Sequence, residues 1–485
     1  NNFKIRQLGF QETDIVEMVK PIVKSVHQVK TTNQIEKILK KSIALARAGR
    51  KGPVLIDIPD DIQRSQIRSQ QIKFEGNGMR KNSQRNYKQA FEHLHQLVAE
   101  STRPVLVFGA GANTHESRTF AKTLINTLGI PVMLTWGAKD LIESDNPLAV
   151  GTFGSHGTRH GNFVIQNADL VIAFGTRLST RETGGNLRHW ARAAKLVHID
   201  VDKEESNKLS KLGKKPTLTI NENLSLLLPK LIKTFAKRPP SNDLTDWLSW
   251  IKIRREKYQY TLSSDNNVLD GYDFFLTLNS FLNRNEQIFL DTGCTVAWAM
   301  QCLRVHEETR IYHDFNNTAM GWALPAAIGG VLGRLGKSTT CIVGDGSMMM
   351  NLQELSTMKL HAPELKIILL NNQGYGMVRQ TERQWLKGDY VGTDSRKGDI
   401  TFPNFTKLAE SFGLKSMKVT NRSELKNGLA EMYQKNNLNF LEVIIEPNSE
   451  VIPQARFGYP IEDSEPILTL NELKSNMLIP ILPRI

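Results

Sequence analysis

The clearest hydrophobic pattern runs from 339 to 377, TTCIVGDGSMMMNLQELSTMKLHAPELKIILLNNQGYGM. Thr340, Ile342 and Val343 form a β-branched apolar run that predicts a buried parallel strand, broken at Gly344-Asp345-Gly346. Met348, Leu352, Leu355, Met358 and Leu360 then recur at mostly helical spacing, predicting a helix from near Ser347 that Pro363 closes. A second apolar run over 365–370 predicts another buried strand, ending on Asn371-Asn372. Strand, helix and strand with short links make a βαβ unit. Both following loops therefore leave the same carboxyl edge of a parallel sheet, where such sheets bind ligands.

The same reading divides the chain into units. Residues 1–68 hold a helical stretch over 14–23, a helix over 34–48 and a strand over 53–58, and a polar linker follows from 65 to 86. The second unit, 85–235, has a helix over 88–100 and strands over 105–108, 131–134, 170–174 and 195–199. After a linker over 237–264 with a charged helix carrying Trp247 and Trp250, residues 265–450 form the unit described first, opened by a strand over 288–290. The fold class is α/β, built from doubly wound parallel sheets. The last segment, 451–485, carries five prolines and one helical stretch over 470–477; it reads as an arm lying over a site mouth or a subunit edge.

Composition adds limits. The 485 residues are 40% apolar and 23% charged, ordinary for a water-exposed globular chain, and no run of about 18 uncharged apolar residues predicts a membrane span. The formal charge of +13 raises nucleic acid as a partner. Its lysines and arginines are scattered, with clusters only at 37–41, 80–85 and 208–215, so solvated helix faces are expected and no nucleic acid. Cys294, Cys302 and Cys341 have neither disulfide nor zinc spacing, which suits a reducing cytoplasm. The tryptophans of the second linker are expected in a core, Cys294 as an inert buried thiol, and His306 and His313 on loops or the surface.

The two loops of the 339–377 unit carry the chemistry. Gly344 and Gly346 permit close backbone approach, and the free N–H groups of the helix starting at Ser347 suit a diphosphate. Asp345 and Asn372 offer hard oxygen ligands which, with the Gly374 carbonyl and phosphate oxygens, would complete an octahedral magnesium shell. Either motif alone is an ordinary turn. Together, one helix and one strand apart, they are specific.

GDG followed by NN at this spacing resembles the diphosphate-binding motif of thiamine diphosphate enzymes. FQETDIVEMVKPI near the start, GRKGPVLIDIP at 49–59 and MGWALPAAIGG at 320–330 resemble acetolactate synthase and its relatives in family order. The resemblance implies a three-domain architecture, thiamine diphosphate and Mg2+ as cofactors, and a 2-oxo acid such as pyruvate as substrate. It assigns Gly293, Thr295, Gly344, Asp345, Gly346, Ser347, Asn372, Gly374 and Gly376 to the diphosphate and metal, and Met320 and Met377 to the thiamine rings. Met377 is the wedge that bends the cofactor, and Gln11 lies in the active-site wall. It also implies a homodimer or homotetramer, with each site between two subunits.

In the central unit, GAGAN, GSHGTRHGNFVIQNADLVIAFGTRL and HIDVD resemble the flavin-contacting region of acetolactate synthases. Carried over, Gly109, Gly111, His156, Gly175, Thr176, Arg177 and Asp200 would line an FAD groove. Relatives sharing this unit bind FAD, another nucleotide or nothing, and the chain departs from the family at Leu178, Ser179 and Thr180. The first domain reads as truncated: no residue matches the family glutamate that activates the cofactor. Two further departures concern the acceptor, namely Thr381 where the family has tryptophan and Asp60 where it has lysine. Arg379 and Arg383 would suit a larger acidic acceptor, or lie on a solvated helix face. A carboligase, a 2-oxo acid decarboxylase, and a partner-completed or non-catalytic cofactor-binding subunit all stay open.

Overall fold

The protein is described by a computed structural model covering residues 9–10, 12–66, 86–333, 337–435, 437–456 and 458–484. Much of the expected polar linker, 67–85, and Gln11 lie outside the described residues. Two six-stranded, wholly parallel sheets dominate. The central sheet runs, edge to edge, Ala149–Thr152, Val132–Leu134, Pro104–Phe108, Leu170–Phe174, Lys195–Asp200 and Leu218–Asn221. Pro104–Phe108 and Leu170–Phe174 are buried throughout, as strands covered by helices on both faces must be. The sequence reading missed the two edge strands, because AVGT and LTIN are short and carry no continuous apolar run.

The second sheet runs Arg310–Tyr312, Gln287–Leu290, Thr339–Gly344, Lys366–Asn371, Phe440–Ile444 and Ser416–Val419. Its interior strands are buried between a layer around Trp298, Phe274 and Leu425 and another around Met348, Leu355 and Phe405. The helix expected from Ser347 is broken. One helical turn spans Asp345–Met348, and the longer helix restarts at Glu354–His361. Asn351 sits in the break, where its amide donates to the Gly321 carbonyl at 2.7 Å. The restart changes the register: Leu355 and Met358 face the core, while Leu360, five residues past Leu355, faces solvent.

The first unit comprises Ile15–Val19, Ser25–Gln28, Ile35–Arg47, Val54–Asp57 and Asp60–Arg64. Its two strands pair in parallel, and Ser25–Gln28 was not anticipated. Arg50 joins it to the central unit through Asp202 at 3.0 Å and Glu205 at 2.7 Å, and Lys51 through Glu116 at 2.9 Å. Trp247 is buried, with its indole N–H donating to the Pro104 carbonyl, and Trp250 stacks on it. Lys214, in one of the basic clusters, caps the Ala191 and Ala194 carbonyls instead of facing solvent.

The C-terminal segment packs on the cores of the other units. Ile461 enters the central core, Asn162 donates to its carbonyl at 3.0 Å, and Arg192 pairs with Glu462 at 2.7 Å. The segment also grips the helix Gly376–Trp385: Gln380 exchanges bonds with both backbone groups of Val451, and Arg383 pairs with Glu465 at 3.0 Å and with Glu450. The arm pairs with itself only over Gln454–Ala455 and Ser464–Glu465, a short antiparallel ladder, and side chains of both units satisfy other carbonyls along it. It straps the central unit to the second sheet.

Burial has a consequence for pH. His160 is only 7% exposed, and desolvation pushes its imidazole down to about 4; His156 and His313 are lowered to about 4 for the same reason. The native state keeps these rings neutral. Stability is full above about pH 6.5 and falls as pH drops towards 4, because the unfolded chain takes up the protons first. The urea midpoint is expected to fall between pH 7 and 5, with His160 alone contributing about 2 kcal/mol at pH 5. A midpoint unchanged over that range contradicts the assignment.

Candidate functional site

The carboxyl ends of Gln287–Leu290, Thr339–Gly344 and Lys366–Asn371 open into one cleft, enclosing about 520 Å3 counted out to its mouth. Gly293, Thr295, Met320, Gly344, Asp345, Gly346, Ser347, Asn372, Gly374, Gly376 and Met377 all line it, although they are spread over 85 positions of sequence. The helices Cys294–Cys302 and Gly376–Trp385 begin at the cleft, so their positive dipole ends face it; the Gly376 N–H itself donates to the Gly374 carbonyl at 3.1 Å.

Asp345 forms the polar corner. It is 2% exposed; Oδ1 accepts the Gly346 N–H at 2.6 Å and Oδ2 the Gly374 N–H at 3.0 Å. Burial pushes its carboxyl up to about 7 against the pull of these donors. Among the described residues no lysine or arginine forms an ion pair with it; Arg379 pulls on it only through space, so this buried carboxylate has acceptor capacity left. Asn372 adds an amide from the next strand end. Gly346 lies against the Tyr375 ring so closely that a Cβ would stand 2.2 Å from it, which fixes the turn against the neighbouring loop.

The apolar side is set by two turns. Asp291 accepts N–H bonds from Gly321 at 3.1 Å and Ala323 at 2.8 Å, which anchors the turn carrying Met320 at the mouth. Met377 lies in the first turn of its helix, packed against the core of the second sheet. Trp298 closes the floor and was not anticipated as lining. Its three-residue spacing from Thr295 on a helix puts both on one face, a signal the sequence contained.

The histidines, cysteines and arginines resolve individually. Cys294 lines the cleft as a buried thiol that desolvation pushes up to about 12, which suits an inert core group. His313 is on a loop but is not a surface group: it is bonded to the Trp136 carbonyl at 3.1 Å across to the central unit. Arg379 corrects the expectation of an acidic-acceptor mouth or a solvated face, because it is buried behind the cleft. Arg383 is exposed, as on a solvated helix face, and holds the arm. Thr381 turns back to its own helix, its hydroxyl donating to the Met377 carbonyl, and Asp60 is exposed and paired with Arg64.

In the central unit the glycine turns pack on each other. The N–H of Gly109 donates to the Phe174 carbonyl and that of Gly111 to Gly175, whose φ of +57° lets its Cα meet the Gly111 turn. Arg177 spans Asn316 and Glu205, Thr176 is buried with its carbonyl accepting from His198, and Asp200 accepts from the Asp202 N–H. His156 is the exception: neither ring nitrogen has a hydrogen-bond partner.

Comparison with known proteins agrees with this architecture. Residues 291–443 match the model of the thiamine pyrophosphate enzyme C-terminal TPP binding domain, and residues 91–230 that of the thiamine pyrophosphate enzyme central domain. The chain is 32% identical to acetolactate synthase 2, chloroplastic, of Nicotiana tabacum over 94% of its own length and 68% of that protein. It is 30% identical to acetolactate synthase 1, chloroplastic, of Oryza sativa subsp. japonica, covering 94% of this chain and 71% of the relative. Against the acetolactate synthase large subunit of Porphyra purpurea the identity is 29%, over 93% and 75%. With the sheets, the cleft and these likenesses together, the chain belongs to the thiamine pyrophosphate-dependent enzymes, as an acetolactate synthase-like member.

Proposed function

We propose that the chain holds thiamine diphosphate through Mg2+ in the 293–377 cleft, decarboxylates a 2-oxo acid such as pyruvate and transfers the remaining two-carbon unit to a carbonyl acceptor. The observation that carries this reading is Asp345, a buried carboxylate without a cationic partner beside two helix N-termini. One carboxylate, the Asn372 amide oxygen and the Gly374 carbonyl make a hard, oxygen-only set that suits magnesium completed by phosphate oxygens. No cluster of three or more His, Cys, Asp or Glu suited to a metal occurs among the described residues, so a zinc-type centre has no support there.

When bound, thiamine diphosphate supplies the nucleophilic carbon and the electron sink for loss of carbon dioxide. The residues of this chain supply position and environment. The N–H groups at 294–295 and 377 orient the diphosphate, and the Met320 and Met377 side chains wall the reacting end from water. Within one chain neither Thr381 nor Asp60 lines the cleft. Exposed Met320, Met350 and Val378 near this mouth fit coverage by a second copy, in a homodimer or homotetramer. A flavin stays outside the proposal; of the side chains expected to line its groove, Arg177 and Asp200 are bonded within the protein and His156 is not.

Incubation with carboxyl-labelled pyruvate tests the reading. Labelled carbon dioxide is expected only with both thiamine diphosphate and Mg2+ present, together with acetolactate if pyruvate is also the acceptor. Binding of cofactor with no turnover of any short 2-oxo acid would contradict it.

A further inference from the structure

Arg379 lies two residues beyond Met377, about 200° round the helix, and so points away from the cleft. It is 5% exposed. Its Nη2 donates to the Asn372 carbonyl at 3.0 Å and to the Pro447 carbonyl at 2.7 Å, and Nη1 stands 3.4 Å from Asp394 Oδ2. Asp394 is itself held by Arg396, through Nε at 2.9 Å and Nη2 at 2.5 Å.

These contacts form the back of a clamp. The Gln373 carbonyl accepts from the Ser395 N–H at 3.0 Å and hydroxyl at 2.9 Å, Gly374 forms a β-bridge with Asp394, and the Tyr375 N–H donates to the Thr393 carbonyl at 3.0 Å. Every residue from 372 to 375 is thus tied from behind by Arg379 or by the 393–395 loop that Arg379 engages. The turn needs holding, since Gln373 has φ +59°, a left-handed conformation that costs a non-glycine residue. Burying a guanidinium is also costly; here Nη2 is bonded twice, while Nη1 has no hydrogen-bond partner and only the Asp394 charge beside it.

We propose that Arg379 is a positioning residue for the cation: by fixing the Asn372 carbonyl away from the cleft it aims the Asn372 amide and the Gly374 carbonyl into it. Through Pro447 it ties the same turn to the start of the C-terminal arm. The inference rests on the magnesium site proposed above and goes beyond it, since none of the atoms of Arg379 touches the cation.

The test measures metal binding without turnover, titrating Mn2+ into the protein with thiamine diphosphate and following free Mn2+ by electron paramagnetic resonance. Arg379→Met is expected to raise the half-saturating Mn2+ about tenfold, as loss of residues behind metal ligands does. Arg379→Lys, able to reach one carbonyl, is expected to recover most of that shift, and Asp394→Asn to move it in the same direction by less. If Arg379→Met does not fold, the Lys and Asn variants carry the test. A lowered urea midpoint with metal half-saturation unmoved in the folded variants overturns the proposal. Asp345→Ala serves as the control: if it leaves Mn2+ binding unchanged, the metal site itself is wrong; if it abolishes binding while the Arg379 variants do nothing, only the role of Arg379 falls.

Discussion

Asp345→Asn is expected to weaken thiamine diphosphate binding in the presence of magnesium by about a hundredfold or more. Metal stabilisation of phosphate charge is worth several kcal/mol, and each 1.4 kcal/mol is a factor of ten. The substitution keeps size and leaves one acceptor oxygen for the Gly346 or Gly374 N–H, so the fold is retained. It removes the only buried negative charge lining the cleft among the described residues. The variant is also expected to be no less stable than the parent without cofactor, because an unpaired buried carboxylate destabilises the empty protein. Calorimetric titration of variant and parent measures the first effect and urea unfolding the second. Unchanged affinity would remove Asp345 from the metal site.

Trp298→Ala has the largest expected effect on stability. The ring is 1% exposed, lies so close over Gly271 that a Cβ there would stand 2.1 Å away, meets Tyr272 edge-on, and donates its indole N–H to the Glu450 carbonyl at 3.1 Å. Truncation leaves a cavity beneath the cleft floor and an unpaired carbonyl where the arm begins. A loss of about 3–5 kcal/mol is expected. Trp298→Phe, which fills most of the volume but cannot donate, is expected to lose far less while loosening the arm at Glu450, read by hydrogen exchange over 450–455. A loss below about 1 kcal/mol for the alanine variant would show that the floor repacks freely.

Much of this was legible in the sequence because buried parallel strands announce themselves as continuous apolar runs. Pro104–Phe108, Leu170–Phe174 and Lys366–Asn371 all read that way, and their loops share one edge by the handedness of βαβ units. Short edge strands containing Gly or Thr, such as Ala149–Thr152 and Leu218–Asn221, lack a continuous apolar run and left no such trace. The break at Met349–Gln353 was hidden because three successive methionines satisfy a helical pattern in any register, and what bends the chain there is a bond from Asn351 to a residue thirty positions earlier. The role of Arg379 was hidden differently. Its charge suggested a ligand, whereas its angular position on the helix, computable from spacing, puts it on the opposite side from Met377. In the central unit Gly109, Gly111 and Gly175 pack two turns together, a contact between strand ends that their spacing in the sequence does not reveal.

The central claim is that the cleft binds a diphosphate through a divalent cation held by Asp345 and Asn372. Calorimetric titration of the protein with thiamine diphosphate, once in excess Mg2+ and once in EDTA, tests it most directly. Saturable binding at one site per chain in Mg2+, lost in EDTA, is the predicted result. Equal affinity in both, or no binding in either, would contradict it.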